Sequence, residues 1–340
     1  MKRLVAKGLL AVTVLAIVGA CAWGWTVWQW LHEPVGRGMV VDVTPGDSVR
    51  AVERELDDQG IIQWPRMWSF YARFVQPKPL MVGEYQLDAD DSLIDVLGKM
   101  QSGEVVQYQV ALIEGHTVRQ MLAVLHRTDG IRKTLEDTSP QSVAKALGLS
   151  HESAEGWIYP DTYQFTRDTT DIDMLKRAVK TMEKVLAEEW ANKADNLPYA
   201  NPYEALVMAS IVERETGVGH ERPQIAGVFV RRLQKRMRLQ TDPSVIYGMG
   251  ERYQGNITRK DLRTDTPFNT YTRGGLTPTP IANPGRAAVH AALHPADGTA
   301  LYFVARGDGS HYFSDTLAEH NRAVRQYQLN RKKNYRSSPQ

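Results

Sequence analysis

Asn201-Pro202-Tyr203-Glu204-Ala205-Leu206-Val207-Met208-Ala209-Ser210-Ile211-Val212-Glu213-Arg214-Glu215 spells a whole helix that ends in two carboxylates. Asn201 caps it, Pro202 takes the first helical position, where a missing N–H costs nothing, and Glu204 closes the capping box. At about 100° per residue, Glu215 falls among Val207, Met208, Ile211 and Val212. Glu213 falls nearer Leu206, Ala209 and Ser210, almost on the opposite side. A carboxyl with apolar neighbours tends to stay protonated near neutral pH, as a general acid must. Glu215 is therefore the candidate acid, and the competing reading makes it a surface residue beside Arg214 or the partner of another basic side chain.

The sequence that follows is dense in polar and aromatic side chains. Leu239-Gln240-Thr241-Asp242-Pro243-Ser244-Val245-Ile246-Tyr247-Gly248 gathers an amide, a carboxylate, hydroxyls and a phenol around one turn. Phe268-Asn269-Thr270-Tyr271 adds a second set, and Gly274-Gly275-Leu276-Thr277-Pro278-Thr279-Pro280-Ile281 is a rigid loop. Such side chains grip sugars: rings stack on C–H faces, and amides and carboxylates hold hydroxyl and N-acetyl groups. Other chemistries fit less well. Ser210 and Ser244 stand in no nucleophile-elbow pattern, and no Gly loop suited to phosphate is present. His290, His294, His311 and His320 lack zinc-protease spacing, so a zinc site would have to be built by the fold. Gly307-Asp308-Gly309 reads as a hairpin turn between Tyr302–Ala305 and His311–Phe313.

Toward the N-terminus, residues 126–200 read as mainly helical, with clear 3.6-residue periodicity from Leu175 to Trp190. The aromatic turn Glu155-Gly156-Trp157-Ile158-Tyr159-Pro160-Asp161-Thr162-Tyr163 interrupts them, as a packed plug or a substrate wall. Between 40 and 125 a strand–turn–helix pattern recurs: Val41–Thr44 into Val49–Leu56, Tyr85–Leu87 into Leu93–Met100, and Val110–Ile113 into Val118–Leu122. Each turn offers Ser or Thr as a helix cap, and the middle copy is the loosest. Compact α+β modules are built this way.

Lys2, Arg3 and Lys7 precede an uncharged run from Gly8 to Leu31 whose far end carries Trp23, Trp25, Trp28 and Trp30. That run is long enough to cross a hydrocarbon core of roughly 30 Å, with the basic flank in the cytoplasm and indoles at the opposite headgroups. It is too long for a signal peptide, and sequence after a lipobox at Cys21 would turn polar rather than Trp-rich. Cys21 is the one cysteine, so the exported part has no disulfide. A net charge of +2, from 41 basic and 39 acidic residues, gives no case for nucleic acid. The basic tail Arg331-Lys332-Lys333 with Arg336 reads as a solvated end.

Together, Ala209–Glu215, Leu239–Pro243, Val245–Gly248, Asn269–Tyr271 and Leu301–Ala305 resemble the MltG (YceG-like) endolytic murein transglycosylases, and the likeness runs along essentially the whole chain. It implies an α+β fold with a tail and transmembrane anchor (1–32), a LysM-like module (40–125), a helical connecting region (126–200) and a mixed helical/β catalytic domain (201–335). The family's catalytic Glu matches Glu215. The implied reaction is non-hydrolytic cleavage of the MurNAc-β-1,4-GlcNAc bond of nascent strands, with a 1,6-anhydro end and no cofactor or metal. Gln240, Asp242, Tyr247, Asn269 and Tyr271 are then expected to hold the sugars. Phe268, Thr277 and Thr279 depart from the Tyr, Pro and Gly usual in the family. Expected partners are glycan strands, the cytoplasmic (inner) membrane and peptidoglycan synthases. The rival readings are a hydrolytic muramidase using Asp242 as second carboxylate, and a non-catalytic wall-binding protein.

Overall fold

The computed structural model describes residues 2–329, with side chains from residue 7 onward, so the basic tail at 331–336 and the side chains of Lys2 and Arg3 lie outside the described residues. The fold is α+β, and it divides into two compact units. The first comprises residues up to Tyr108 with Phe165–Arg167; the second comprises Gln109–Gln164 and the residues from Asp168 onward. The expected N-terminal module ran on to 125, whereas the compact units divide after Tyr108.

The first unit opens with α1 (Lys2–Leu31), whose Lys7–Leu31 stretch is long and apolar enough to cross a membrane. Its last turn does not stand free: Trp30 and Leu31 are buried in the unit's core, and Val27 packs against it. β1 (Met39–Val43) leads to α2 (Val49–Asp58) and α3 (Pro65–Phe70), which continues as a wider π-type turn through Tyr71–Val75. β2 (Gly83–Leu87) then pairs antiparallel with β1, Val41 opposite Tyr85, and α4 (Leu93–Ser102) follows. Alternation puts Val41, Val43, Tyr85 and Leu87 on one face, against Leu56, Trp68, Val96 and Met100. The Tyr85 hydroxyl reaches the Met81 carbonyl at 2.7 Å, which lets a phenol sit in this core.

Three strand–turn–helix copies are present, with unequal caps. Ser92 and Thr117 each form a full capping box, so the copy that reads as loosest in sequence is among the best capped. Ser48 makes no side-chain cap; the Asp47 carboxylate of its turn instead accepts from the Thr44 N–H and hydroxyl. The third copy, β3 (Tyr108–Ala111) and α5 (Val118–Leu125), is not part of the β1–β2 sheet.

The second unit carries α5, β4 (Ile131–Arg132), α6 (Pro140–Leu147), β5 (Thr162–Phe165), β6 (Thr169–Thr170) and α7 (Asp171–Ala191). β5 pairs with β3, and β4 runs parallel to β6, a pairing too short to register in sequence. α8 (Pro202–Glu215) is the central helix, packed by α7, α9 (Arg222–Gln234), α10 (Asp242–Met249) and α12 (Arg286–Leu293); the short α11 (Arg259–Arg263) precedes α12. The expected hairpin forms from β7 (Tyr302–Ala305) and β8 (His311–Ser314), with Gly307 and Gly309 at positive φ, and α13 (Leu317–Val324) follows. The aromatic turn is a packed plug, with Glu155 and Ile158 fully buried and Trp157 nearly so. Gly156 is required there twice over: its φ is +85°, and a Cβ would fall 2.5 Å from Pro280 Cγ.

Candidate active site

α8 is buried all round rather than on one stripe. Every residue from Ala205 to Val212 is buried, so helix-face geometry does not by itself separate the two terminal carboxyls. Desolvation raises the pKa of both. Their partners separate them. Glu213 accepts from Arg222 at 3.0 Å and from the Gly285 N–H at 3.0 Å, a buried ion pair that ties α8 to α9 and to the start of α12. That is a structural engagement.

Glu215 has no ion-pair partner among the described residues. It is the last residue of α8, where the negative end of the helix further disfavours a carboxylate. Burial pushes its pKa up to about 7; the Thr241 hydroxyl pulls the other way, the Asp242 charge adds to the rise, and Arg232 opposes it. Thr241 Oγ1 is buried and makes no hydrogen bond of good geometry with any described residue. A hydroxyl donor thus lies near Glu215, free to follow the carboxyl between its charge states. Arg232 is buried too; its Nε donates to the Leu301 carbonyl at 2.6 Å and its Nη1 to the Leu239 carbonyl at 2.7 Å, and it forms no ion pair with Glu215, so it acts on that carboxyl as a nearby charge.

The loop before α10 positions the rest. Thr270 Oγ1 accepts from the Thr241 N–H at 3.0 Å and meets Ser244 Oγ at 2.9 Å, a buried hydroxyl cluster that fastens 239–244 to 269–271. Asp242 starts α10, and its Oδ1 accepts from the Tyr271 hydroxyl at 2.6 Å. Gln240 is exposed, with φ +53°, an uncommon conformation for a residue with a side chain. Asp242, Tyr271 and Thr241 therefore gather around Glu215.

Two expected sugar-holding residues are engaged elsewhere. Asn269 is 1% exposed; its amide donates to the carbonyls of Asp261, Leu262 and Thr264, and its oxygen accepts from the Tyr271 N–H. It staples the loop that carries Tyr271. Tyr247, packed edge-on to Phe268, donates its hydroxyl to Glu155 Oε2 at 3.1 Å. Thr277 and Thr279 hold their own loop, through hydroxyl bonds to the Thr279 and Pro280 carbonyls.

Glu155 is the residue that the sequence conceals. It is wholly buried, its Oε1 accepts from the Val118 N–H at 2.9 Å and from Asn283 Nδ2 at 3.1 Å, and burial pushes its pKa to about 7. The signal in the sequence was slight: an acid standing directly before the uncharged run Gly156 to Pro160, in a turn that also carries Asp161. Glu155 joins α5, the plug, α10 and Asn283, whose Oδ1 accepts from the Ile158 N–H.

The fold also brings Glu189, His290 and His294 together, with ligand-type atoms within 4.8 Å of one another. Their hydrogen bonds are already placed: Glu189 receives Arg286 and His290 at 2.8 Å each, and His294 Nε2 reaches the Asn192 carbonyl at 2.7 Å. The guanidinium on that carboxylate opposes a cation there. A cavity of about 520 Å³, lined by His151, Trp157, Lys176 and Lys180 among others, belongs to the α6–α7 region and not to Glu215.

A model of the YceG-like family matches residues 41–326, which takes in both units and every residue of this site. The chain belongs to the YceG-like family. Among YceG-like relatives, an endolytic murein transglycosylase of Bacillus subtilis (strain 168) is 30% identical, over 92% of this chain and 91% of its own. One from Streptococcus pneumoniae serotype 2 is 28% identical, over 85% of this chain and 58% of the longer relative. The crystal structure of a yceG-like protein from Listeria monocytogenes superposes with a TM-score of 0.51 at 31% identity, covering 84% of this chain and 99% of that one.

Proposed function

We propose that this YceG-like protein is an endolytic peptidoglycan lytic transglycosylase, anchored in the cytoplasmic membrane with its catalytic part outside, and that Glu215 is its acid and base. The observation that carries the reading is the state of Glu215: desolvated, without an ion-pair partner among the described residues, and raised to about 7. Relatives named as endolytic murein transglycosylases supply the substrate class.

In this mechanism protonated Glu215 donates to the glycosidic oxygen of the MurNAc-β-1,4-GlcNAc bond as the C1–O bond breaks. The resulting carboxylate takes the proton of the muramyl C6 hydroxyl, whose oxygen attacks C1 and closes the 1,6-anhydro ring. No water is consumed, so no second carboxylate is needed to activate one, unlike an ordinary glycosidase. Thr241 supplies a hydrogen bond to the carboxylate stage. Asp242, held by Tyr271, places negative charge where C1 becomes positive, and Gln240 is available to a sugar amide or hydroxyl. Within the first unit the run β1–α2–α3–β2, strand–helix–helix–strand in order, is read as the centre of a LysM-like wall-binding module, and the partners are the glycan strand and the synthases that extend it.

Digestion of sacculi with the detergent-solubilised full chain, followed by mass analysis of the fragment ends, tests the proposal. Anhydro ends are expected from the wild type, and a loss of on the order of 100-fold or more with Glu215→Gln. Ends one water heavier would instead identify a hydrolase that uses Asp242 as its second carboxylate. Sacculus binding with no released fragments from either protein would make the chain a wall-binding protein.

A further inference from the structure

The last turn of α1 is part of the first unit's core, through Trp30 and Leu31, so that unit begins where the apolar span ends. Trp64, the residue before α3, packs its ring on Trp30 at 5.3 Å between centroids. α3 and its π-type continuation therefore start at the end of the span. Val75 lies eleven residues beyond Trp64, so the segment stays within roughly 17 Å of it at helical rise.

The composition of this segment is unusual for a water-facing surface. From Trp64 to Gly83 there is no Asp or Glu, while Arg66, Arg73 and Lys78 are present. One face, Trp68, Ser69 and Ala72, is buried in the unit. The opposite face carries Phe70 at 52%, Phe74 at 70% and Val75 at 57% exposure, interleaved with exposed Arg66 and Arg73. The Phe70 and Phe74 rings touch in a tilted pair, 5.0 Å between centroids and one turn apart, and neither belongs to the unit's core. Aromatic rings among basic side chains on one helix face are the pattern of helices that lie in a bilayer interface, rings at the acyl boundary and cations at anionic headgroups.

We propose that the Arg66–Val75 face lies in the headgroup region of the bilayer that α1 crosses, a second contact that holds the first unit against the membrane. The proposal rests on the reading of α1 as an anchor. A lipid surface is favoured over a protein partner by continuity with the span, through the Trp30–Trp64 contact, and by the absence of acidic residues. Its consequence is orientational: α1 alone leaves the unit free to rotate about one axis, and a second contact removes that freedom.

Site-directed spin labels in the full chain, reconstituted into vesicles of phosphatidylethanolamine and phosphatidylglycerol, test it. In a Cys21→Ser background, labels are placed singly at Phe74→Cys, at exposed Asp57→Cys and at Val14→Cys inside the span. The ratio of collision with oxygen to collision with a water-soluble nickel complex reports depth. Phe74 is expected to exceed Asp57 several-fold, and Arg66→Glu with Arg73→Glu is expected to lower the Phe74 ratio. Equal ratios at Phe74 and Asp57, with Val14 in lipid, would overturn the proposal and leave the anchor standing. An aqueous Val14 would overturn both. A Phe74 label that leaves water only on addition of detergent-extracted membrane proteins would overturn the proposal in favour of a protein-docking face.

Discussion

Three glutamates near the candidate site show how far residue identity goes and where environment takes over. Glu213 and Glu215 are two positions apart on one buried helix, and both are raised by desolvation. The sequence separates them by helix angle, a criterion that the fold weakens, since α8 has no solvent face along most of its length. What distinguishes them is long-range: Arg222 and the Gly285 N–H reach Glu213, and no described cation reaches Glu215 at ion-pair distance. Glu155 was illegible for the same reason, because its three partners lie 37, 92 and 128 residues away. Burial of an acid whose folded pKa exceeds its unfolded one makes the folded state bind more protons. Stability is therefore fully present below about pH 4.5 and declines as pH rises toward about 7, by a few kcal/mol for a shift of this size. Glu155→Gln mimics the protonated form: its oxygen can accept from Val118 and Asn283 while its amide faces the Tyr247 hydroxyl. Thermal melts between pH 5 and 8 should show the variant losing part of the wild type's downward slope, with a Tm at pH 5 close to wild type. Glu155→Ala, which strands the buried Val118 N–H, should cost about 1–3 kcal/mol at pH 5. An unchanged slope in Glu155→Gln would remove Glu155 from the pH response. Activity should follow Glu215 instead, with kcat falling above about pH 7 as the acid form is lost.

Element boundaries were the most legible part of the chain, because capping is local chemistry. Asn201 Oδ1 accepts from the Glu204 N–H at 3.1 Å, as the spacing requires, but the Glu204 carboxylate accepts from the Ala200 N–H, one residue before the cap, so the expected capping box does not close. Asn201→Ala should destabilise the fold by about 1 kcal/mol and Asn201→Asp by much less, measured by urea denaturation at constant m. The far end of α8 depends on tertiary pairing. Arg222→Ala leaves Glu213 buried without its cation and should cost about 3–5 kcal/mol. Adding Glu213→Gln to Arg222→Ala should recover part of that loss, a coupling that a double-mutant cycle would read. Strands were harder to read than helices. β4 and β6 are two residues each, and their parallel pairing joins Ile131 to Thr169 across 38 positions, beyond the reach of any local pattern.

At the scale of the whole molecule, hydropathy and charge order the chain before any packing is known. Among the described residues one helix is long and apolar enough to span, and the sequence places basic residues at its start and indoles in its last turns. On the proposed orientation, the positive-inside preference places everything after Leu31 outside, where the proposed chemistry requires the glycan to be. The division of the remainder into two units was only partly legible, since the third strand–turn–helix copy looks like the first two yet builds a different unit. Pattern reports what can form locally, and the choice of sheet partner depends on residues 162–165, far along the chain. Orientation is testable without the site. Protease added outside right-side-out spheroplasts should degrade the 33–329 part and spare an N-terminal epitope. Reversing the flank, with Lys2→Glu, Arg3→Glu and Lys7→Glu together, should raise the protected fraction of the 33–329 part, because the basic bias that retains the N-terminus is gone. A protease-resistant 33–329 part in the wild type would place the Glu215 site on the same side as the cytoplasm. It would also separate that site from the extracellular glycan, and the transglycosylase reading would fall with the topology.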